Sequence, residues 1–230
     1  MGARAFRIRA IYHVLLSAYG PQGWWPAESP LETIVGAVLT QNTSWRNVEK
    51  ALARLRARGA LSSPSSLRCL SAAELEELIS PAGFYRQKGS TLRRLLARAD
   101  DAPGALAGVL SMDRTALRRW LLELKGIGPE TADSIILYAA GRPAFVIDAY
   151  TRRIGARHGI APRSAPYEEL QRLFEVALPA SARLMNEYHA LLVRLGKSRC
   201  GPTPACSGCP VCWDLRRRRA GSRKRSHYPP

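Results

Sequence analysis

The sequence predicts an all-α chain, and three observations carry that prediction. Apolar residues return at i, i+3, i+4 and i+7 in segment after segment. Helix-start signals stand ahead of several of those segments. No segment of any length alternates in the way a half-buried strand does. At 230 residues the chain can bury a full core, as one domain or as two small ones.

The first helix is predicted over about Phe6 to Ala18, with Ile8, Ile11, Tyr12, Leu15 and Leu16 as its apolar face. A Gly- and Pro-rich link carrying Trp24-Trp25-Pro26 follows. Ser29-Pro30-Leu31-Glu32 then supplies a cap hydroxyl, a proline at the first helical position and a capping-box glutamate. The helix it opens turns Leu31, Ile34, Val35, Val38 and Leu39 to one face and ends in Thr40-Gln41-Asn42-Thr43. Ser44 caps the next, which faces Trp45, Val48, Leu52 and Leu55 inward. Ser71-Ala72-Ala73-Glu74 is a second capping box, opening a helix with Leu75, Leu78 and Ile79 that Pro81-Ala82-Gly83 breaks. Leu92, Leu95 and Leu96 mark the helix after it.

From Arg114 the apolar positions are Leu117, Trp120, Leu121 and Leu124; they resume at Ala132, Ile135, Ile136 and Ala139. The Gly126-Ile127-Gly128 link is too short for anything but a tight hairpin. Its glycines allow positive φ and a close approach of backbone to ligand. Pro129 fits the first helical position, and the free N–H groups beyond the turn suit an anion such as a phosphate. Taken alone, such a hairpin is as often structural as functional. An apolar run ending in Val146-Ile147-Asp148 follows, with the aspartate eighteen residues after Glu130. Two more helices are marked by Tyr167, Leu170, Leu173, Phe174 and Ala177, and by Leu184, Tyr188, Leu191, Leu192 and Leu195. There is no internal repeat.

Lys plus Arg number 35 against 18 Asp plus Glu, a formal +17. That excess favours a polyanionic partner, nucleic acid first, although Arg-rich codon usage accounts for part of it. No run of 18 apolar residues exists, which argues against a membrane span. The N-terminus is amphipathic and lacks a compact apolar leader with a cleavage site, so the chain reads as a mature cytoplasmic, nucleoid-associated protein. Four of its five cysteines fall within residues 200–212, a clustering that points to metal or redox chemistry and not to a disulfide framework. The spacing Cys200-x5-Cys206-x2-Cys209-x2-Cys212 suits zinc or an iron–sulfur cluster. Cys69, beside Leu67 and Leu70, reads as a small core residue. The stretch 214–230, with Arg216 to Arg219 and Arg223-Lys224-Arg225, reads as a disordered basic tail.

The run Leu124 to Ala132, with Phe145 to Arg153 at its distance, resembles the DNA glycosylases of the endonuclease III (HhH-GPD) superfamily, over roughly residues 28–212. The resemblance implies a two-lobed helix-hairpin-helix fold: residues 28–143, hairpin 114–140 included, and a second lobe from 1–27 plus 144–213. DNA and an extruded base would lie in the cleft between them. The hairpin residues Lys125, Gly126 and Gly128 would grip the DNA backbone. Asp148 would sit at the mouth of the base pocket, stabilise positive charge on the sugar and orient or activate a water. In isolation Asp148 reads better as the N-cap of a helix starting near Ala149.

Glu130 occupies the position where bifunctional members of the family carry the lysine that forms a Schiff base with the sugar. A carboxylate cannot do that, which implies a monofunctional enzyme leaving an abasic site. Leu39 to Thr43 is similar to the family's Leu-x-Gln run, whose glutamine fills the hole left by the flipped base; Gln41 matches, with helix capping as the alternative. Gly83-Phe84-Tyr85-Arg86-Gln87-Lys88 is similar to Gly-apolar-Tyr-x-x-Lys, which makes Phe84 a wedge between bases or, alternatively, a core residue. Arg86, Lys88, Lys125, Arg152 and Arg153 are candidate backbone contacts, which position without specifying. Trp24, Trp25 and Trp45 would line one pocket, and electron-rich rings favour a cationic alkylated purine. This set, with Glu at the hairpin position, resembles the bacterial 3-methyladenine glycosylases of endonuclease III type.

The family also places a [4Fe–4S] cluster after a Gly-basic-x-x-Cys like Gly196-Lys197-Ser198-Arg199-Cys200. Its usual Cys-x6-Cys-x2-Cys-x5-Cys has longer outer gaps than this chain, so zinc stays as an alternative. The expected partner is double-stranded DNA holding a damaged base, bound by a monomer. Two rivals remain: a bifunctional glycosylase/AP lyase for oxidised pyrimidines, and a non-catalytic damage sensor.

Overall fold

The computed structural model describes residues 2–215; the basic runs from Arg216 onward lie outside the described residues. The chain runs through α1 (Ala3–Tyr19), α2 (Pro30–Leu39), α3 (Trp45–Ala57), α4 (Pro64–Arg68), α5 (Ala72–Ile79) and α6 (Tyr85–Asp100). It continues through α7 (Ala105–Ser111), α8 (Arg114–Leu122), α9 (Pro129–Ser134), α10 (Ala149–Arg157), α11 (Tyr167–Ala177) and α12 (Ala182–Ser198). A 3-10 turn, Ser80–Ala82, follows α5, and a π turn, Ile135–Ala139, extends α9. No strand occurs among the described residues. Two compact units result, one of Trp25–Ala144 and one of the chain up to Trp24 plus Phe145 onward.

In the Trp25–Ala144 unit Ser29, Ser71 and Asp113 cap through their side chains, whereas Ser44, expected as a cap, stands at the N-cap of α3 without a side-chain cap hydrogen bond. Ser29 Oγ accepts from the Glu32 N–H at 3.2 Å, Ser71 Oγ from the Glu74 N–H at 3.1 Å, and Asp113 from Thr115 and Ala116 at 2.8 and 3.0 Å. Each satisfies an N–H that the first helical turn leaves open. From Leu31 to Leu39 every residue of α2 is buried, so α2 is the central rod, with α3, α6 and the π turn packed on it. Burial all round also explains Glu32, whose carboxylate is closed by Arg56.

Two short helices had no apolar period to announce them. Helix α4 rests on the Ser63 cap and Pro64, and α7 follows Gly104 at φ 75°. Helix α4 also corrects the reading of Cys69. Helix α4 and the tight turn after it point Leu67 and Leu70 into the core and leave Cys69 exposed.

In the other unit α1 packs on α11 and α12, and α10 packs on α12. Its core is aromatic. Phe145 stacks on Phe174 at 4.4 Å, Tyr188 packs edge-on to both, and the Tyr188 hydroxyl donates to the Ile8 carbonyl at 2.8 Å. Among the described residues no helix is long and apolar enough to cross a membrane.

Candidate active site and nucleic-acid interface

Asp148 is the N-cap of α10, with extended backbone, and its Oδ1 accepts from the Thr151 N–H at 2.6 Å. The cap does not exhaust the carboxylate. Oδ2 lies 3.6 Å from Nε2 of His189, on α12, and the two side chains are only 13% and 7% exposed. Burial pushes the Asp148 carboxyl up, but the charge and hydrogen bonding of His189 and the N–H and hydroxyl of Thr151 together outweigh it. The carboxyl is held below its usual range and is ionised at neutral pH. His189 was not singled out from the sequence. Its signal is a histidine inside the buried stripe Tyr188, Leu191, Leu192 and Leu195.

The seat of α10 on α12 is tight. A Cβ on Gly196 would come 2.3 Å from Cδ1 of Tyr150, so only glycine lets the two helices meet here. Three α10 arginines hold neighbouring loops. Arg152 donates to the carbonyls of Arg163, at 3.3 Å, and Ala165. Arg153 donates to the Cys200 carbonyl at 2.7 Å, and Arg157 to Cys200 Sγ at 3.0 Å and the Gly201 carbonyl at 2.7 Å. Arg152 and Arg153, expected as DNA-backbone contacts, therefore tie α10 to loops through main-chain carbonyls in this structure.

The hairpin has the expected form. Ile127 N–H closes the turn on the Leu124 carbonyl at 3.0 Å, and Gly126 sits at φ 99°. A Cβ there would lie 2.2 Å from the Thr91 hydroxyl of α6, so glycine is required both by torsion and by space. Lys125, Gly128 and Glu130 are exposed. An ion pair that local sequence patterns do not announce fixes the two hairpin helices: partly buried Arg118 on α8 meets Asp133 Oδ1 on α9 through Nε at 2.9 Å, with Asp133 fully buried. Gln41 reaches the same hairpin, donating from Nε2 to the Gly126 carbonyl and to Thr131 Oγ1, both at 2.9 Å.

Phe84 is 62% exposed and takes a left-handed backbone at φ 47°, ψ 33°, so it is not the core residue of the alternative reading. Asn42, next to Gln41, is left-handed as well, at φ 50°. Such torsions are uncommon outside glycine and mark tips whose shape the surroundings enforce. Arg86 is exposed, 3.9 Å from Glu76. Lys88 corrects the expectation of a phosphate contact. It is 3% exposed, and its Nζ donates to the Leu39 carbonyl at 2.9 Å and the Ala82 carbonyl at 2.7 Å.

Trp25 and Trp45 converge edge to face, ring centroids 5.1 Å apart, and Tyr138 of the π turn joins at 5.0 Å from Trp25. Tyr138 was missed because its apolar period breaks at the π turn, which advances the side chain. A Cβ on Gly36 of α2 would lie 3.1 Å from Trp25, so the glycine lets the indole lie close on the helix. Trp24, expected in the same pocket, is partly buried and belongs to the other unit.

Cys200 is buried, Cys209 and Cys212 are half-buried and Cys206 is exposed. Consecutive turns link them, Cys209 N–H to the Cys206 carbonyl at 3.2 Å and Cys212 N–H to the Cys209 carbonyl at 3.1 Å. Burial pushes the Cys209 thiol up, and the charges of the other three cysteines push it the same way. Asp214, buried just beyond, is held by Arg7 at 2.7 Å and His158 at 2.9 Å. Among the described residues no three His, Cys, Asp or Glu side chains form a preassembled ligand group. The case for a metal centre rests on the donor set: four soft thiols on one turn-linked loop, which fits a thiolate-held centre.

Residues 35–180 match the family model described as HhH-GPD superfamily base excision DNA repair protein. A Methanocaldococcus jannaschii chain, provisionally named a DNA repair glycosylase, is 42% identical over 206 residues, covering 89% of this chain and 93% of that one. Endonuclease III of Thermotoga maritima is 28% identical over 181 residues, 78% of this chain and 79% of its own. Among solved structures, the H. pylori 3-methyladenine DNA glycosylase bound to 1,N6-ethenoadenine superposes with a TM-score of 0.72 at 27% identity, covering 84% of this chain and 97% of that one. An endonuclease III–DNA complex gives 0.78 at 22% identity, over 95% of this chain and 100% of that one, a likeness of fold. The chain belongs to the HhH-GPD superfamily and is a base-excision DNA repair glycosylase.

Proposed function

We propose that the enzyme is monofunctional and removes an alkylated purine from double-stranded DNA, leaving an abasic site. Glu130 carries the monofunctional half of this reading. It is exposed on the hairpin's second helix at the position where a lyase needs an amine. The aromatic set of Trp25, Trp45 and Tyr138 supports the substrate class, because electron-rich rings attract a cationic base. The likeness to the 3-methyladenine glycosylase points the same way.

The chemistry fits a single buried carboxylate. An N-alkylated purine already carries positive charge, so it departs with the bond pair as a neutral base and needs no proton from a general acid. Positive charge then develops on the sugar, where ionised Asp148 stabilises it and takes up a proton as water adds to the anomeric carbon. His189 and Thr151 keep that carboxylate ionised. Gln41 and Phe84 would fill and wedge the gap left by the extruded base. Lys125, Gly126, Gly128 and Arg86 would contact the backbone.

Cys200, Cys206, Cys209 and Cys212 would hold a [4Fe–4S] cluster, which when bound supplies a structural cross-link and no open coordination position. Arg153 and Arg157 make the loop's order matter to α10. Iron and sulfide in an anaerobic preparation are expected; a colourless preparation holding zinc and no iron would overturn the assignment. Borohydride treatment during turnover tests the monofunctional half. No covalent enzyme–DNA adduct is expected, and a trapped adduct would sink it. Trp25→Ala tests the pocket: excision of 3-methyladenine should be lost, and intact excision would remove the aromatic set from the base site.

A further inference from the structure

Lys88 is buried in the Trp25–Ala144 unit, yet the chemistry assigned above does not use it. Its partners are informative. Leu39 ends α2, two residues before Gln41, and Ala82 ends the 3-10 turn, two residues before Phe84. Both carbonyls stand at helix ends, where the backbone lacks an intrahelical donor. Past each of them the chain enters the left-handed region, at Asn42 and at Gly83-Phe84. We propose that Lys88 is a positioning residue whose single ammonium, shared between the Leu39 and Ala82 carbonyls, sets the spacing of the two DNA-probing tips, Gln41 and Phe84. The inference rests on the roles given to those tips above.

Burial lowers the Lys88 amine from 10.5 to about 8. Of the charged groups on the elements packed around it, Glu32 pairs with Arg56, Glu74 with Arg58, Glu76 with Arg86, Arg68 with Asp100 and Arg98 with Glu123. Arg54 donates to the Glu77 carbonyl and the Ser80 hydroxyl, and Arg93 and Arg94 donate to the Leu70 and Lys125 carbonyls. Arg46, Glu49 and Lys50 of α3 and Glu77 of α5 are exposed. A lowered lysine value has a definite sign. The unfolded chain keeps its proton to higher pH, so stability rises as pH climbs from about 8 towards 10.5. Over the same window the brace weakens, because charge-assisted hydrogen bonds become neutral ones of roughly half the strength. Stability and tip insertion should therefore move in opposite directions with pH, which a purely structural lysine would not produce.

The experiment uses the full chain and a duplex with a tetrahydrofuran abasic analogue opposite 2-aminopurine, whose fluorescence reports insertion beside the orphaned base without any bond cleavage. Lys88→Met keeps the stem and removes the donors. It should melt cooperatively and bind undamaged duplex like the wild type, while insertion weakens by about tenfold. Wild-type insertion should fall as pH rises through about 8 while the melting temperature rises, and Lys88→Arg, which keeps its charge, should hold insertion level. Folded Lys88→Met with undiminished insertion would overturn the proposal. Should Lys88→Met fail to fold, a level wild-type profile between pH 7 and 9.5 would overturn it, a range bracketing the value of about 8. Gln41→Ala and Phe84→Ala separate the two layers. If they leave insertion intact, the reading of the tips itself fails; if they abolish it while Lys88→Met does not, this inference fails alone.

Discussion

Asp148 caps α10 and, in the proposed reaction, also stabilises charge on the sugar; substitution can separate the two. Asparagine caps a helix as well as aspartate does but bears no charge. Asp148→Asn should therefore lose at least about a hundredfold in single-turnover excision while melting close to the wild type. Asp148→Ala should show the same loss of rate and, with its cap gone, fall a further ~1 kcal/mol in stability by denaturant melt. If Asn instead destabilises as much as Ala, the charge and not the cap is what α10 needs. The pH dependence has a fixed sign. Because the folded carboxyl is held below its ordinary value, its stabilising contribution is complete above the unfolded value of about 3.9 and is lost as pH falls through the lower folded one. Activity should accordingly show no acid limb from Asp148 above about pH 4, which a pH–rate profile checks. An acid limb above about pH 4 that Asp148→Asn abolishes would contradict the lowered carboxyl.

At the scale of elements, two glycines, Gly126 in the hairpin against Thr91 and Gly196 in α12 against Tyr150, decide how the functional parts are seated. Gly196→Ala must move the Tyr150 ring or separate α10 from α12, and overpacking of that kind costs about 1–3 kcal/mol. A lower melting temperature is expected, with excision falling alongside it because α10 carries Asp148; unchanged melting would mean that the ring simply rotates away. Much of this layer was legible beforehand. The caps at Ser29, Ser71 and Asp148 and the turn at Gly126 are local signals, read from a few adjacent residues, and the caps and the turn form in the structure. What escaped reading depends on partners distant in sequence. Asp133 meets Arg118 across the hairpin, Lys88 meets Leu39 across 49 positions, and Arg153 meets Cys200 across 47. A basic residue alone does not reveal whether it faces a phosphate or a carbonyl, and Lys88, Arg152 and Arg153 all face carbonyls. Tyr138 escaped for another reason, since a π turn breaks the period on which helix reading rests.

For the whole molecule, the formal +17 acts through long-range attraction to a polyanion, so affinity for undamaged duplex should fall steeply with added salt. A salt-independent affinity would detach that charge from DNA binding. The fold itself is shared with enzymes of different substrates, endonuclease III and the 3-methyladenine glycosylase among them, so the reaction must be argued from Glu130, Asp148 and the aromatic set, not from architecture. The most direct measurement is excision from duplexes carrying single 3-methyladenine or thymine glycol lesions, each split into alkali-treated and untreated halves. Release of 3-methyladenine, with strand breaks only after alkali, is the result the account predicts. A break at thymine glycol without alkali would contradict it, by showing lyase chemistry in a chain with glutamate at position 130.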